Sequence, residues 1–111
     1  MAMLKESTFG KLISIDSTNE EHERFADYIG LEGLILIWES QKKDPGKAFV
    51  HFYPYEDDMM QRYLITSLGE LVNDGKTITV HTKYSTYVFD LEQVSLDEEK
   101  RNELLINVLL G

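Results

Sequence analysis

The 111-residue chain has no cysteine. That excludes disulfide scaffolds, thiolate zinc sites and cysteine nucleophiles together, and it fits a reducing compartment. Proline occurs twice, at Pro45 and Pro54, and tryptophan once, at Trp38. Long apolar runs are missing too. The longest, Leu34 to Trp38, has five residues, against the roughly 20 a membrane-spanning helix requires. Met1 to Gly10 have neither the basic start nor the apolar stretch of a secretory signal, so a cytoplasmic location without membrane contact is expected.

Positive charge is also scarce. Eleven Lys and Arg face 20 Asp and Glu, leaving a net charge of −9. Affinity for nucleic acid comes chiefly from neutralising phosphates, so direct binding of DNA or RNA is disfavoured. The acids cluster. One group runs from Asp16 through Glu20, Glu21, Glu23 and Asp27 to Glu32, a second is Glu56-Asp57-Asp58, and a third is Asp97, Glu98, Glu99 and Glu103. The one basic group, Lys42, Lys43 and Lys47, surrounds Asp44-Pro45-Gly46.

What is present is the patterning of one globular domain, residues 1–111, with Met1 to Gly10 expected as a loose N-terminal arm. Lys11 to Asp16 alternates as a first strand. Thr18 and Glu21 have capping-box spacing, and Phe25, Tyr28 and Ile29 follow at helical intervals before Gly30, which predicts a short amphipathic helix over 18–29 with a left-handed C-cap. Leu34 to Trp38 reads as a strand covered on both faces. Ala48 to Tyr53 is the next strand, ended by Pro54, and Tyr63 to Ser67 another. Asn73-Asp74-Gly75, set between Leu71-Val72 and Thr77 to Val80, is the strongest turn signal in the chain. A second hairpin at Tyr84-Ser85 feeds Thr86 to Leu91, with Tyr87, Phe89 and Leu91 on one face. Ser95 and Glu98 suggest another capping box. Leu104 to Leu110 then fits a helix better than a strand, with Leu104, Leu105, Val108 and Leu109 as its apolar stripe. The expected fold is β-rich α+β: a small antiparallel SH3-like barrel or roll of five to six strands, with a short helix near each end.

No catalytic signature accompanies this pattern. Ser67 and Ser85 lack a G-x-S-x-G context, and the glycines form no phosphate-cradling loop. His51 and His81 have no ligand partner at metal spacing, and His22 reads as a solvated side chain. Twenty carboxylates offer no spacing that selects an acid/base pair. No catalytic residue, cofactor or metal is therefore expected. Most aromatics fill the core, since aromatic rings carry much of its buried area. Tyr55 and Tyr84, near loop ends, are candidate partner anchors, joined by the acidic knot Glu56, Asp57 and Asp58 and the adaptable thioethers Met59 and Met60. Ile106 and Leu110 fall outside the final apolar stripe and are expected on its outer side, as an interface for a protein partner or a homodimer. The expected function is a small acidic protein–protein interaction or regulatory module without catalytic activity, of the kind carried by phages and plasmids. The alternative is an inhibitor that mimics nucleic acid, for which the acids must lie rigidly on one face at phosphate-like intervals.

Overall fold

The sequence Leu34-Ile35-Leu36-Ile37 is apolar on both faces of a strand, so it needs cover on two sides. The computed structural model, which describes residues 2–40, 47–56 and 62–110, supplies both. Its strands are β1 (Ala2–Ser17), β2 (Glu32–Ser40), β3 (Ala48–Pro54), β4 (Leu64–Ile65), β5 (Glu70–Asn73), β6 (Thr77–His81) and β7 (Ser85–Asp90). They form one antiparallel sheet in the order β4-β3-β2-β1-β7-β6-β5. A single helical turn, α1 (Glu21–Arg24), follows β1, and α2 (Glu98–Leu105) runs into a wider π-type turn, Ile106–Leu110.

β1 holds the two halves of the sheet together. Its first part, Ala2 to Lys11, pairs with β2, and its second, Lys11 to Ser17, pairs with β7. Irregularities between Leu4 and Glu6 and between Leu12 and Ser14 bend it, as bulges do by adding a residue to one strand only. The expected loose N-terminal arm is thus corrected: Ala2 to Gly10 are the first half of the central strand. Met3 to Ser7 are exposed, so their strand state comes from the ladder with β2 and leaves no apolar alternation to read.

The sheet is open, which corrects the barrel form of the expected SH3-like barrel or roll, and it has seven strands among the described residues where five to six were expected. It curls far enough for Ala48 and Gly69 to exchange backbone hydrogen bonds of 2.9 Å each. No ladder follows, because the edge strands are too short: β4 has two residues and β5 has four. Inside the curl lie Leu12, Ile35, Ile37, Val50, Phe52, Ile78, Val80, Tyr87 and Phe89, all at 1% exposure or less. Burying each of these side chains contributes about 2 kcal/mol. On the outer face Leu34 and Leu36 meet Leu104 of α2, with Phe9, Trp38, Tyr53, Tyr55, Leu105 and Val108 packed around them.

Both expected caps are displaced. The predicted helix over 18–29 contracts to α1 and a 3-10 turn, Ala26–Tyr28. Thr18 instead donates its backbone N–H to Tyr84 O (2.8 Å), and Ser17 Oγ accepts from the His22 N–H (3.0 Å). Gly30 does take the left-handed conformation, at φ 95°. At α2 the cap is Asp97, whose carboxylate accepts from Lys100 N–H (2.9 Å). Ser95 is drawn away by Glu32, to which its N–H and hydroxyl donate at 2.6 and 3.0 Å. Leu104 to Leu110 is helical, as expected.

The β5–β6 hairpin is built as its sequence predicts. Gly75 has φ 89°. The Asp74 carboxylate accepts from the N–H groups of Lys76 and Thr77, both at 2.8 Å. A Cβ on Gly75 would meet nothing within 4 Å, so a substitution there is penalised by backbone conformation alone. Gly75→Val should cost about 2 kcal/mol and lower the Tm by roughly 10 °C. Gly75→Asn should recover most of that, because Asn tolerates positive φ. Thermal melts of the two variants check this, and equal losses would mean that φ is not the constraint.

Candidate interaction surface

The outer cover of β2 begins with α2. Leu104 is 1% exposed, while Leu105 and Val108 are half-buried against the Leu34–Leu36 face. At 3.6 residues per turn, Glu99, Ile106 and Leu110 fall opposite Leu104 and Val108. Ile106 is 56% exposed, Leu109 52% and Leu110 82%. Ile106 and Leu110 therefore lie on the outer side, as the stripe predicts. Leu109, expected within the stripe, is exposed and lies outside it.

The two cations of α2 fold inward onto aromatic rings of the chain itself. The Arg101 guanidinium lies 5.0 Å from the centre of the Phe9 ring, and its Nε donates to Leu96 O at 2.9 Å. Lys100 Nζ lies 5.7 Å from the Tyr55 ring centre. The outward side consequently carries Glu98 and Glu99 without a cation of the same helix, while Glu103 accepts from the Tyr55 hydroxyl beside Lys100. The surface along it, formed by Asp97, Glu98, Glu99, Asn102, Glu103, Ile106 and Asn107, is open and close to flat.

The remaining predicted residues divide. Tyr55 is half-buried and donates its hydroxyl to Glu103 Oε2 (3.2 Å), so it supports the helix. Glu56 accepts from Arg62 Nε at 3.0 Å to each oxygen, and the same guanidinium pairs with Asp27 and lies 4.8 Å from the Tyr28 ring centre. The two carboxylates raise the Arg62 pKa further, hydrogen bonding to Glu56 contributing most. Asp57, Asp58, Met59 and Met60 lie outside the described residues. Tyr84 is exposed, but it sits at the β6–β7 turn beside the end of β1 and lines no pocket with the helix. The predicted residues are thus not one site. Ile106 and Leu110 share the helix end, Tyr55 and Glu56 serve the fold, and Tyr84 stands apart.

A row of rings on the outer face of β2 and β3 escaped the sequence reading. Trp38 and Phe49 stack with ring centres 6.3 Å apart and planes 10° from parallel, and His51 lies 5.5 Å from Trp38. Tyr53 follows at 6.2 Å from His51, and Tyr63 at 5.8 Å from Tyr53. The signal was available: Phe49, His51 and Tyr53 alternate, and alternate strand residues share a face. Trp38 Nε1 is buried with no hydrogen-bond partner among the described residues.

Among the described residues no three His, Asp or Glu side chains could hold a metal ion. His51 and His81 are on strands separated by three others, so they do not meet. Ser17 Oγ lies 2.7 Å from His22 Nδ1, and His22 Nε2 lies 3.8 Å from Glu23. This resembles a nucleophile and its base, but Ser17 Oγ already accepts from the His22 N–H and donates to Asn19 O (3.0 Å). The group is an exposed turn cap. No described helix is long and apolar enough to cross a membrane. No family model matches the chain, and neither a curated protein nor a solved structure matches it.

Burial in the aromatic row lowers the His51 pKa below its ordinary 6.5. A base with a depressed folded pKa leaves the unfolded chain binding more protons in the window between the two values. Stability should therefore fall as pH drops through 6.5 toward the depressed value, then level off. Melts of the wild type and of His51→Phe across this window test it: the variant should lose that part of the slope, and identical slopes would place the titration elsewhere.

Proposed function

We propose that this protein is a non-catalytic protein–protein interaction module whose contact surface is the outer side of its C-terminal helix. One observation carries the reading. The helix already docks through Leu104, Leu105 and Val108, yet Ile106, Leu109 and Leu110 stand together and exposed at its end. Such a grouping has no role in covering β2. Apolar side chains grouped on a surface mark interfaces more often than chance, and this group continues into the half-buried rim of Leu105 and Val108.

Leu110→Ser combined with Ile106→Ser should leave the Tm within about 2 °C of wild type, since exposed positions rarely change stability by more than 0.5 kcal/mol. A photo-reactive residue at position 110, introduced in the source cell, should then form a discrete crosslinked species. The same residue at His81, on the far part of the sheet, should not. A loss of several degrees in the serine variant would make the segment core, and equal crosslinking from both positions would remove the surface proposed here.

A further inference from the structure

We infer that the occupant of this surface is a basic amphipathic segment of another protein, one that sets an apolar side on Ile106, Leu109 and Leu110 and lysines or arginines against Glu98 and Glu99. The inference rests on the interaction reading above and adds the chemistry of the partner. Its ground is charge complementarity. Between Asp97 and Leu110 the chain has four acids and two bases, and both bases are turned onto Phe9 and Tyr55. What faces outward on the helix before its apolar end is the carboxylates of Glu98 and Glu99 in the first turn. The final turn carries no basic residue, although the carbonyl end of a helix favours cations. A cation arriving at Ile106–Leu110 therefore meets a favourable dipole, and one arriving at the first turn meets Glu98 and Glu99.

A second copy of this chain fits less well. A two-fold contact at the helix end would place the same carboxylates of both copies together, between chains of net charge −9 each, and like charges across an interface are strongly disfavoured. A purely apolar partner would leave Glu98 and Glu99 beside it unanswered. An amphipathic basic helix laid along this open side of α2 satisfies both parts.

The probe is a synthetic amphipathic helix of leucine and lysine alone, titrated against the full chain at about 150 mM salt. A leucine–glutamate helix of the same pattern is the control. The lysine peptide should bind, and its amide shift changes should concentrate on residues 98–110. Glu98→Gln with Glu99→Gln should weaken it roughly tenfold, the expected sum of two exposed charge contacts. Leu110→Ser should weaken it while leaving the Tm unchanged. Equal binding to wild type and to the glutamine variant would show only general attraction to a negative protein and overturn the inference. So would absence of binding, or a dimer that Leu110→Ser dissociates. If the lysine peptide fails while position 110 still crosslinks to another protein, the interaction surface stands and only its proposed charge preference falls.

Discussion

The structure depends on a strand that cannot tolerate water on either face. Leu34 and Leu36 point one way and Ile35 and Ile37 the other, and all four are at 2% exposure or less. A curled sheet alone covers Ile35 and Ile37, so something else must cover the other face. The C-terminal helix does this, and nearly every later feature follows from it. Glu32, at the start of β2, captures Ser95 and Leu96 and sets where the chain turns toward the outer face. Asp97 then starts the helix, and Leu104 lands on Leu34 and Leu36. A helix has a far side, and here the far side ends in three uncovered apolar residues.

The parts of this fold that were legible are those in which local chemistry and tertiary environment agree. Asp74-Gly75 demanded a tight turn and formed one. Tyr87 and Phe89 shared a face in the pattern and share the core. Leu34 to Trp38 read as covered on both faces and is. What could not be read was decided by partners distant in sequence. Met3 to Ser7 carry no apolar alternation, so only their ladder with β2 makes them a strand. Ser95 has the residue type and spacing of a cap, but Glu32, 63 residues away, competes for it. Thr18 loses its cap role in the same way, to a backbone bond with Tyr84. Barrel and roll could not be told apart because closure hinges on the lengths of β4 and β5, which turn signals do not fix.

The candidate surface was legible in part for a related reason. Periodicity places Ile106 and Leu110 outside the docked stripe, and that needs no knowledge of the docking partner. Leu109 follows Leu105 and Val108 in the pattern, yet it is exposed. Tyr55 and Glu56 looked like free surface groups because residue type alone cannot show that Glu103 and Arg62 would engage them. The acids as a whole are less available than their number suggests. Glu32, Glu39, Glu56, Asp27, Asp74, Asp90 and Asp97 each hold a local partner. Glu103 is held by Tyr55 as well, and the carboxylates left facing outward on α2 are Glu98 and Glu99 in its first turn.

The central claim is that one side of the C-terminal helix is core and the other is spare. A double-mutant cycle on stability tests it most directly, using Leu36→Ala and Leu104→Ala, with Leu110→Ala measured alongside. The account predicts losses of about 2–4 kcal/mol for each buried leucine, a coupling of about 1 kcal/mol between them, and less than about 0.5 kcal/mol for Leu110. Additive losses at Leu36 and Leu104, or a core-sized loss at Leu110, would contradict it.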